Sequence, residues 1–120
     1  ILICILIGVV KVEATNAVTY FYSEAELDHA ESVNNPAVFW KQRFHVDQTF
    51  WSGNGAPVFL YIGGEGPQGP ASQRLFMYDL AKQHGALVLT LEHRFYGLSQ
   101  PVPNMSTANL EYLTSEQALG

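Results

Sequence analysis

Cysteine is nearly absent from this sequence of 120 residues: the single one, Cys4, lies within the first few positions. From Thr15 onward there is none, so no disulfide and no thiolate metal site can form inside that stretch. Basic residues are scarce as well. Six Lys and Arg stand against eleven Asp and Glu, a formal net charge of −5, and the six are not clustered. That excludes nucleic acid as a natural partner, because binding phosphates needs a positive footprint. Long apolar runs are also missing. The opening run, ILICILIGVV, has ten residues, whereas a helix crossing a bilayer needs about 20, so no stable membrane span is expected. No repeat or low-complexity tract is present, and no Gly-Lys-Ser/Thr follows a glycine loop, which excludes a P-loop.

What is there begins with that short run. It fits the apolar core of a secretory signal peptide whose basic start is missing. Lys11 ends it, and Val12-Glu13-Ala14 follows as a small-x-small site, so residues 1–14 are expected to be removed after Ala14. In a chain that enters the secretory pathway, Asn104-Met105-Ser106 is an N-glycosylation acceptor. The sequence starts at Ile1 rather than Met and stops at Gly120 just after a helix-start signal, which reads as a piece of a longer protein.

Residues 16–36 are polar and weakly patterned, an extended or looping lead-in. Val38 to Asp47 alternates, with Trp40, Gln42, Phe44 and Val46 on one side and Lys41, Arg43, His45 and Asp47 on the other. Period two predicts a half-exposed strand near a sheet edge. Val58 to Ile62 is a continuous apolar run bounded by Pro57 and Gly63, the pattern of a strand covered on both faces. A glycine-rich loop follows. A helix is predicted from near Ser72 to His84, with Phe76, Met77, Leu80, Ala81 and His84 on one face and Gly85 as a left-handed cap. Ala86 to Leu91 is a second apolar strand. After a loop from Glu92 to Pro103, Thr114-x-x-Gln117 has the form of a capping box that opens another helix. Strand, loop, helix, strand, loop, helix is a βαβ unit with an edge strand before it, and its two apolar strands should run parallel. Too few helices are present to cover both faces, so the sheet is expected to continue past Gly120.

The loop Tyr61–Gly69 reads YIGGEGPQG and contains G-x-G-x-x-G at Gly64, Gly66 and Gly69. Glu92 follows at about the ~20-residue distance of a ribose-binding acid. A dinucleotide turn requires the helix to start near the second glycine. Pro67 and Pro70 stand there instead, and proline inside a helix costs about 3 kcal/mol. The helix therefore starts after Pro70, the glycines form a broad loop, and no nucleotide cofactor is expected. Another task suits the same glycines. A loop after a strand can offer backbone N–H groups to a developing oxyanion, and glycine lets the chain approach a substrate closely. Gly63, Gly64 and Gly66 supply that freedom, and Glu65 could orient the loop or meet a charged substrate end.

Three stretches taken together, PVFLYIGGEGP (Pro57–Pro67), GALVLTLEHRFYGLSQP (Gly85–Pro101) and YLTSEQAL (Tyr112–Leu119), resemble the serine exopeptidase family typified by lysosomal Pro-X carboxypeptidase and dipeptidyl peptidase II. EHRFYGLS especially resembles its thymus-specific serine protease branch. Weaker traces lie at Leu27-Asp28-His29 and at Trp40 to Phe44. The resemblance implies an α/β fold, with residues 15–120 forming the N-terminal part of an α/β-hydrolase peptidase domain: an edge strand plus a βαβ unit, the sheet incomplete. It implies hydrolysis of proline-containing peptides through an acyl-enzyme and a Ser-Asp-His triad, with no cofactor. The family's serine sits in a Gly-x-Ser-x-Gly elbow after the TSEQAL motif. Neither Ser99 nor Ser115 lies in such an elbow, so no triad residue is assigned within this sequence and the 120 residues alone should be inactive.

Glu92-His93-Arg94-Phe95-Tyr96-Gly97 follows the second apolar strand. Glu92 and Arg94 are expected to form a charge-assisted fork that braces the glycine loop, with Gly97 permitting the turn back. Adjacent residues on a strand point to opposite faces, so Glu92, His93 and Arg94 do not form a metal site. Two alternatives remain: another secreted α/β hydrolase, such as an esterase or lipase, and a truncated, non-catalytic secreted binding protein. Fold alone does not choose among them.

Overall fold

A computed structural model describes residues 16–30 and 37–119. The signal-peptide reading, with Cys4 and the Ala14 cleavage point, lies outside the described residues. Four strands, β1 (Val18–Glu26), β2 (Phe39–Asp47), β3 (Val58–Ile62) and β4 (Leu87–Leu91), form one sheet in the order β1-β2-β4-β3. Helix α1 (Phe76–His84) links β3 to β4, and a short tight helical turn (Asn109–Tyr112) leads into α2 (Ser115–Leu119). β3 and β4 pair in parallel, as the βαβ reading expects, while β1–β2 and β2–β4 are antiparallel. The result is a small mixed sheet with few helices, compatible with a piece of an α/β fold.

Three expectations are corrected. The polar lead-in contains β1, a strand of nine residues paired to β2 from Val18↔Val46 to Glu26↔Phe39 with a bulge between Tyr22 and Ala25. Its Val-Thr-Tyr-Phe-Tyr start has the β-branched and aromatic content of a strand. β2 is therefore an interior strand, not an edge, and its alternation changes side along its length: Trp40 is buried and Lys41 exposed, but the second half turns its polar residues inward. His45 and Asp47 are buried, whereas Phe44 and Val46 are only half-buried. Polar side chains can face inward where they find partners, as His45 does at Thr19 Oγ1 and Gln68 O and Asp47 Oδ1 does at Thr49, which periodicity cannot show. β3 lies at the sheet's edge, with Val58, Leu60 and Ile62 exposed rather than covered on both faces.

The covered face holds the core. Tyr78 and Ala81 of α1 pack with Ala71, Ala86 and Val88, and Phe50, Phe59 and Met77 lie against them. The helix starts at Phe76, later than expected, after a turn in which the Leu75 N–H donates to Ser72 O at 3.0 Å. Its inward face is centred on Tyr78 and Ala81, and Phe76 is 74% exposed, so the predicted apolar stripe is rotated. The end of α1 is as expected. Gly85 is left-handed (φ 61°, ψ 35°), and the N–H groups of Gly85 and Ala86 both donate to Ala81 O. A Cβ there would stand 2.6 Å from Ser52 Oγ, so both the conformation and the space call for glycine.

Candidate active-site rim

Parallel pairing places the C-terminal ends of β3 and β4 side by side, with Ile62 opposite Leu91. The glycine loop and the EHRFYG turn thus leave the sheet at one rim. Gly63 is buried and its N–H donates to Leu91 O at 2.8 Å, which extends the ladder by one bond. That donor is spent, so Gly63 cannot serve an oxyanion. A Cβ on Gly63 would sit 3.0 Å from Leu91 O and 3.1 Å from Gln68. The Gly66 N–H donates to Gly64 O at 2.9 Å and is also engaged. The N–H groups of Gly64 and Glu65 point to no hydrogen-bond acceptor among the described residues, and both residues are exposed.

Glu92 is fully buried and collects five donors. Arg43 of β2 gives two of them, through Nε at 3.1 Å and through a short contact from Nη2. The Gln68 N–H donates at 3.0 Å, the Leu98 N–H at 3.0 Å and Ser99 Oγ at 2.7 Å. The expected partner was Arg94, and the structure overturns that: the fork comes from Arg43, across the sheet. Arg43 also donates to Gln68 O at 3.2 Å, and His45 Nε2 meets the same oxygen at 2.9 Å. The glycine loop is thus fastened at Gln68 to β2 and to the turn after β4. Burial alone would raise the Glu92 carboxyl. The hydrogen bonds from Arg43, Ser99 and Gln68, with the Arg43 charge, outweigh burial and hold it below its ordinary value.

Gly97 has φ 53°, and a Cβ on it would fall 1.9 Å from Glu92 Oε1. The turn can therefore close over the carboxylate only with glycine. Phe95, buried, also takes a left-handed φ of 71°, unusual for a bulky side chain. Its N–H donates to Ser99 O at 2.8 Å and the Ser99 N–H to Tyr96 O at 2.9 Å, which close the turn.

Arg94 makes a second, separate clamp. Its guanidinium donates to the carbonyls of Glu26, Leu27 and Tyr112 at 2.9–3.0 Å and meets His29 Nε2 at 3.2 Å. It also lies over the Trp40 ring, 5.7 Å from the centroid. Burial lowers the guanidinium from its usual value, and Asp28 partly offsets this. Gln117 of α2 completes the cluster: its Oε1 accepts the His29 N–H at 2.8 Å and its Nε2 donates to Asp28 Oδ1. The capping box is therefore half formed. Thr114 Oγ1 accepts the Gln117 N–H at 3.2 Å, but the Gln117 side chain turns to residues 28 and 29 instead of back to its own helix.

At the glycine loop and the turn after β4 a cavity of about 250 Å³ is lined by Glu65, His93, Tyr96, Leu113, Thr114 and Ser115. His93 Nδ1 lies 2.7 Å from Arg94 O, which can only accept, so Nδ1 carries the proton. Of the sequence-named residues, Gly63, Gly64, Glu65, Gly66, Glu92, Arg94 and Gly97 all gather at this rim, and Asn104 stands apart in an exposed loop. Arg43, Gln68 and Ser99 were missed as support residues. Arg43 lies within the Trp40–Phe44 trace, the one signal that could have found it. No serine hydroxyl is bonded to a histidine among the described residues, and Ser99 is buried with its hydroxyl donating to the Glu92 carboxylate. Among the described residues no group of His, Cys, Asp and Glu could hold a metal ion, and no helix is long and apolar enough to cross a membrane.

Residues 25–120 match the model of the family described as serine carboxypeptidase S28. The human thymus-specific serine protease is 48% identical over 79 residues, which cover 65% of this chain and 15% of that protein. The mouse protein of the same name is 49% identical over 79 residues, 65% of this chain and 16% of its own length. A serine protease of Bipolaris victoriae (strain FI3), vicPb, is 37% identical over 87 residues, 67% of this chain and 16% of that protein. The chain spans about a sixth of the length of the curated relatives it matches.

Proposed function

The chain belongs to the serine carboxypeptidase S28 family, and from that premise we propose that the full-length protein is a serine peptidase that removes residues next to proline, as a Pro-X carboxypeptidase or a dipeptidyl peptidase. One observation carries the part assigned to these residues. Gly64 and Glu65 hold two unengaged backbone N–H groups at the shared rim of β3 and β4, on a loop fastened through Gln68 to Glu92 and Arg43. Donors that need no reorganisation are what a developing oxyanion requires, and one such donor is worth about 10²–10³ in kcat. The α/β-hydrolase reading of the whole domain fits the parallel β3–α1–β4 unit with its loops at one end. The serine, acid and histidine of the triad are assigned to sequence following this segment. A serine oxygen attacks the peptide carbonyl, the amine leaves with a proton from the histidine, and water then hydrolyses the ester. The apolar opening run favours a secreted or lysosomal protein.

The test uses the full-length protein and peptides with proline at the second position from either end. Release of an N-terminal dipeptide or of a single C-terminal residue, abolished by a fluorophosphonate, is the expected result. Turnover that survives the serine reagent, or esterase activity without peptide cleavage, overturns the reading.

A further inference from the structure

We infer that Asn104 carries an N-linked glycan. The inference rests on the secretory reading above and not on the peptidase activity. Asn104-Met105-Ser106 is the one acceptor triplet in the sequence. The fold leaves it accessible: every residue from 103 to 108 is exposed, on the loop between the turn over Glu92 and the helical turn at Asn109–Tyr112.

The chemistry at the side chain fits as well. Asn104 Oδ1 accepts the Ser106 N–H at 3.1 Å and Asn109 Nδ2 at 3.0 Å, and Asn109 Nδ2 also donates to Asn104 O at 3.0 Å. The carboxamide is thus held by its oxygen. Its nitrogen, the atom that would be glycosylated, has no hydrogen bond among the described residues. The Ser106 hydroxyl accepts from the Asn109 N–H at 3.4 Å and keeps its own proton free. In the transfer, Asn104 Nδ2 bonds to the anomeric carbon of an oligosaccharide carried on a lipid diphosphate. The anomeric C–O bond breaks, the diphosphate leaves with the electron pair, and the amide loses one proton.

The position is compatible with the candidate site. No residue of the loop 101–108 lines the cavity at Glu65 and His93, so a saccharide on Asn104 is not built into that wall. Asn104 is exposed and is not among the residues of the core cluster, so a bulky substituent there can extend into solvent.

The full-length protein is expressed in a eukaryotic cell line with a secretory pathway, and the peptide holding Asn104 is mapped by mass spectrometry. Digestion with a peptide-N-glycosidase in heavy-oxygen water is expected to convert Asn104 to labelled Asp. Ser106→Ala should bring occupancy to background while leaving Asn104 in place, and Ser106→Thr should keep it. A secreted or lumenal protein whose Asn104 is unmodified overturns the inference alone. A protein found only in the cytosol overturns it together with the secretory reading.

Discussion

At the scale of single residues, Glu92 is the point on which the rim depends. Its five donors come from β2, the glycine loop and the turn after β4, so one carboxylate fixes three segments. Removing one partner of a buried ion pair costs about 3–5 kcal/mol, because the other charge is left without compensation. Gly97→Ala acts on the same group from outside. The new methyl would overlap Glu92 Oε1, and a left-handed alanine adds about 1–2 kcal/mol. We expect Gly97→Ala to destabilise the full-length protein by at least about 3 kcal/mol in denaturant titrations. The lowered Glu92 carboxyl also sets a pH dependence. Its contribution is complete above the unfolded value, near pH 4.3, and is lost as pH falls through the lower folded value. Glu92→Gln should therefore lower stability at neutral pH and flatten the acid limb of the stability profile below about pH 4.5. An acid limb equally steep in both proteins would show that Glu92 is not the group responsible. Glu92 and Gly97 were readable in the sequence because they share one short motif. Arg43 was not, because its contact spans 49 positions and pairing over that distance is settled by the order of strands.

At the scale of elements, α2 has five residues, too few to be helical alone. Two devices hold it: the Thr114 cap, and the Gln117 side chain that grips the turn at Asp28 and His29. The Asp28 carboxyl is held below its ordinary value by the Ala30 N–H first and the Gln117 amide second. Thr114→Ala should cost about 1 kcal/mol and speed hydrogen exchange within α2 only. Gln117→Ala should speed exchange in α2 and also in residues 27–30, because it unties both. Equal, purely local effects from the two variants would contradict the coupling. The element list was largely legible. The β3–α1–β4 unit and the Gly85 cap follow from apolar runs punctuated by glycine and proline. β1 was less legible, because a strand exposed on both faces has no alternation to detect. The α1 face differs from the apolar pattern because Tyr78, an aromatic body with a polar tip, takes the inward position and leaves Phe76 exposed.

At the scale of the whole molecule, the two faces of the sheet differ. Two rows cross all four strands on one face: Tyr20, Phe44, Leu91 and Ile62, and beside them Val18, Val46, Leu89 and Leu60. All eight are apolar and each is exposed or half-buried. On the other face His45 and Thr90 meet the glycine loop at Gln68 O and Gly69 O, and Val88 and Phe59 pack beneath α1, while Thr19 at the β1 end stays exposed. A contiguous apolar area of this kind drives association when it meets water. The 120-residue chain expressed alone should bind a hydrophobic dye and elute above its monomer size. Tyr20→Lys with Leu60→Lys should reduce both, since each places a charge in one of the two rows. A monomeric, dye-silent chain would refute this picture. The sequence by itself determined the βαβ unit, the glycine-bounded exits and the family, because these follow from local periodicity, turn chemistry and contiguous motifs. Tertiary structure alone decided that Arg43 rather than Arg94 neutralises Glu92, that His45 and Asp47 of β2 face inward, and which loop N–H groups stay unengaged. Those outcomes depend on which strands become neighbours, and that is set by pairing across the sheet.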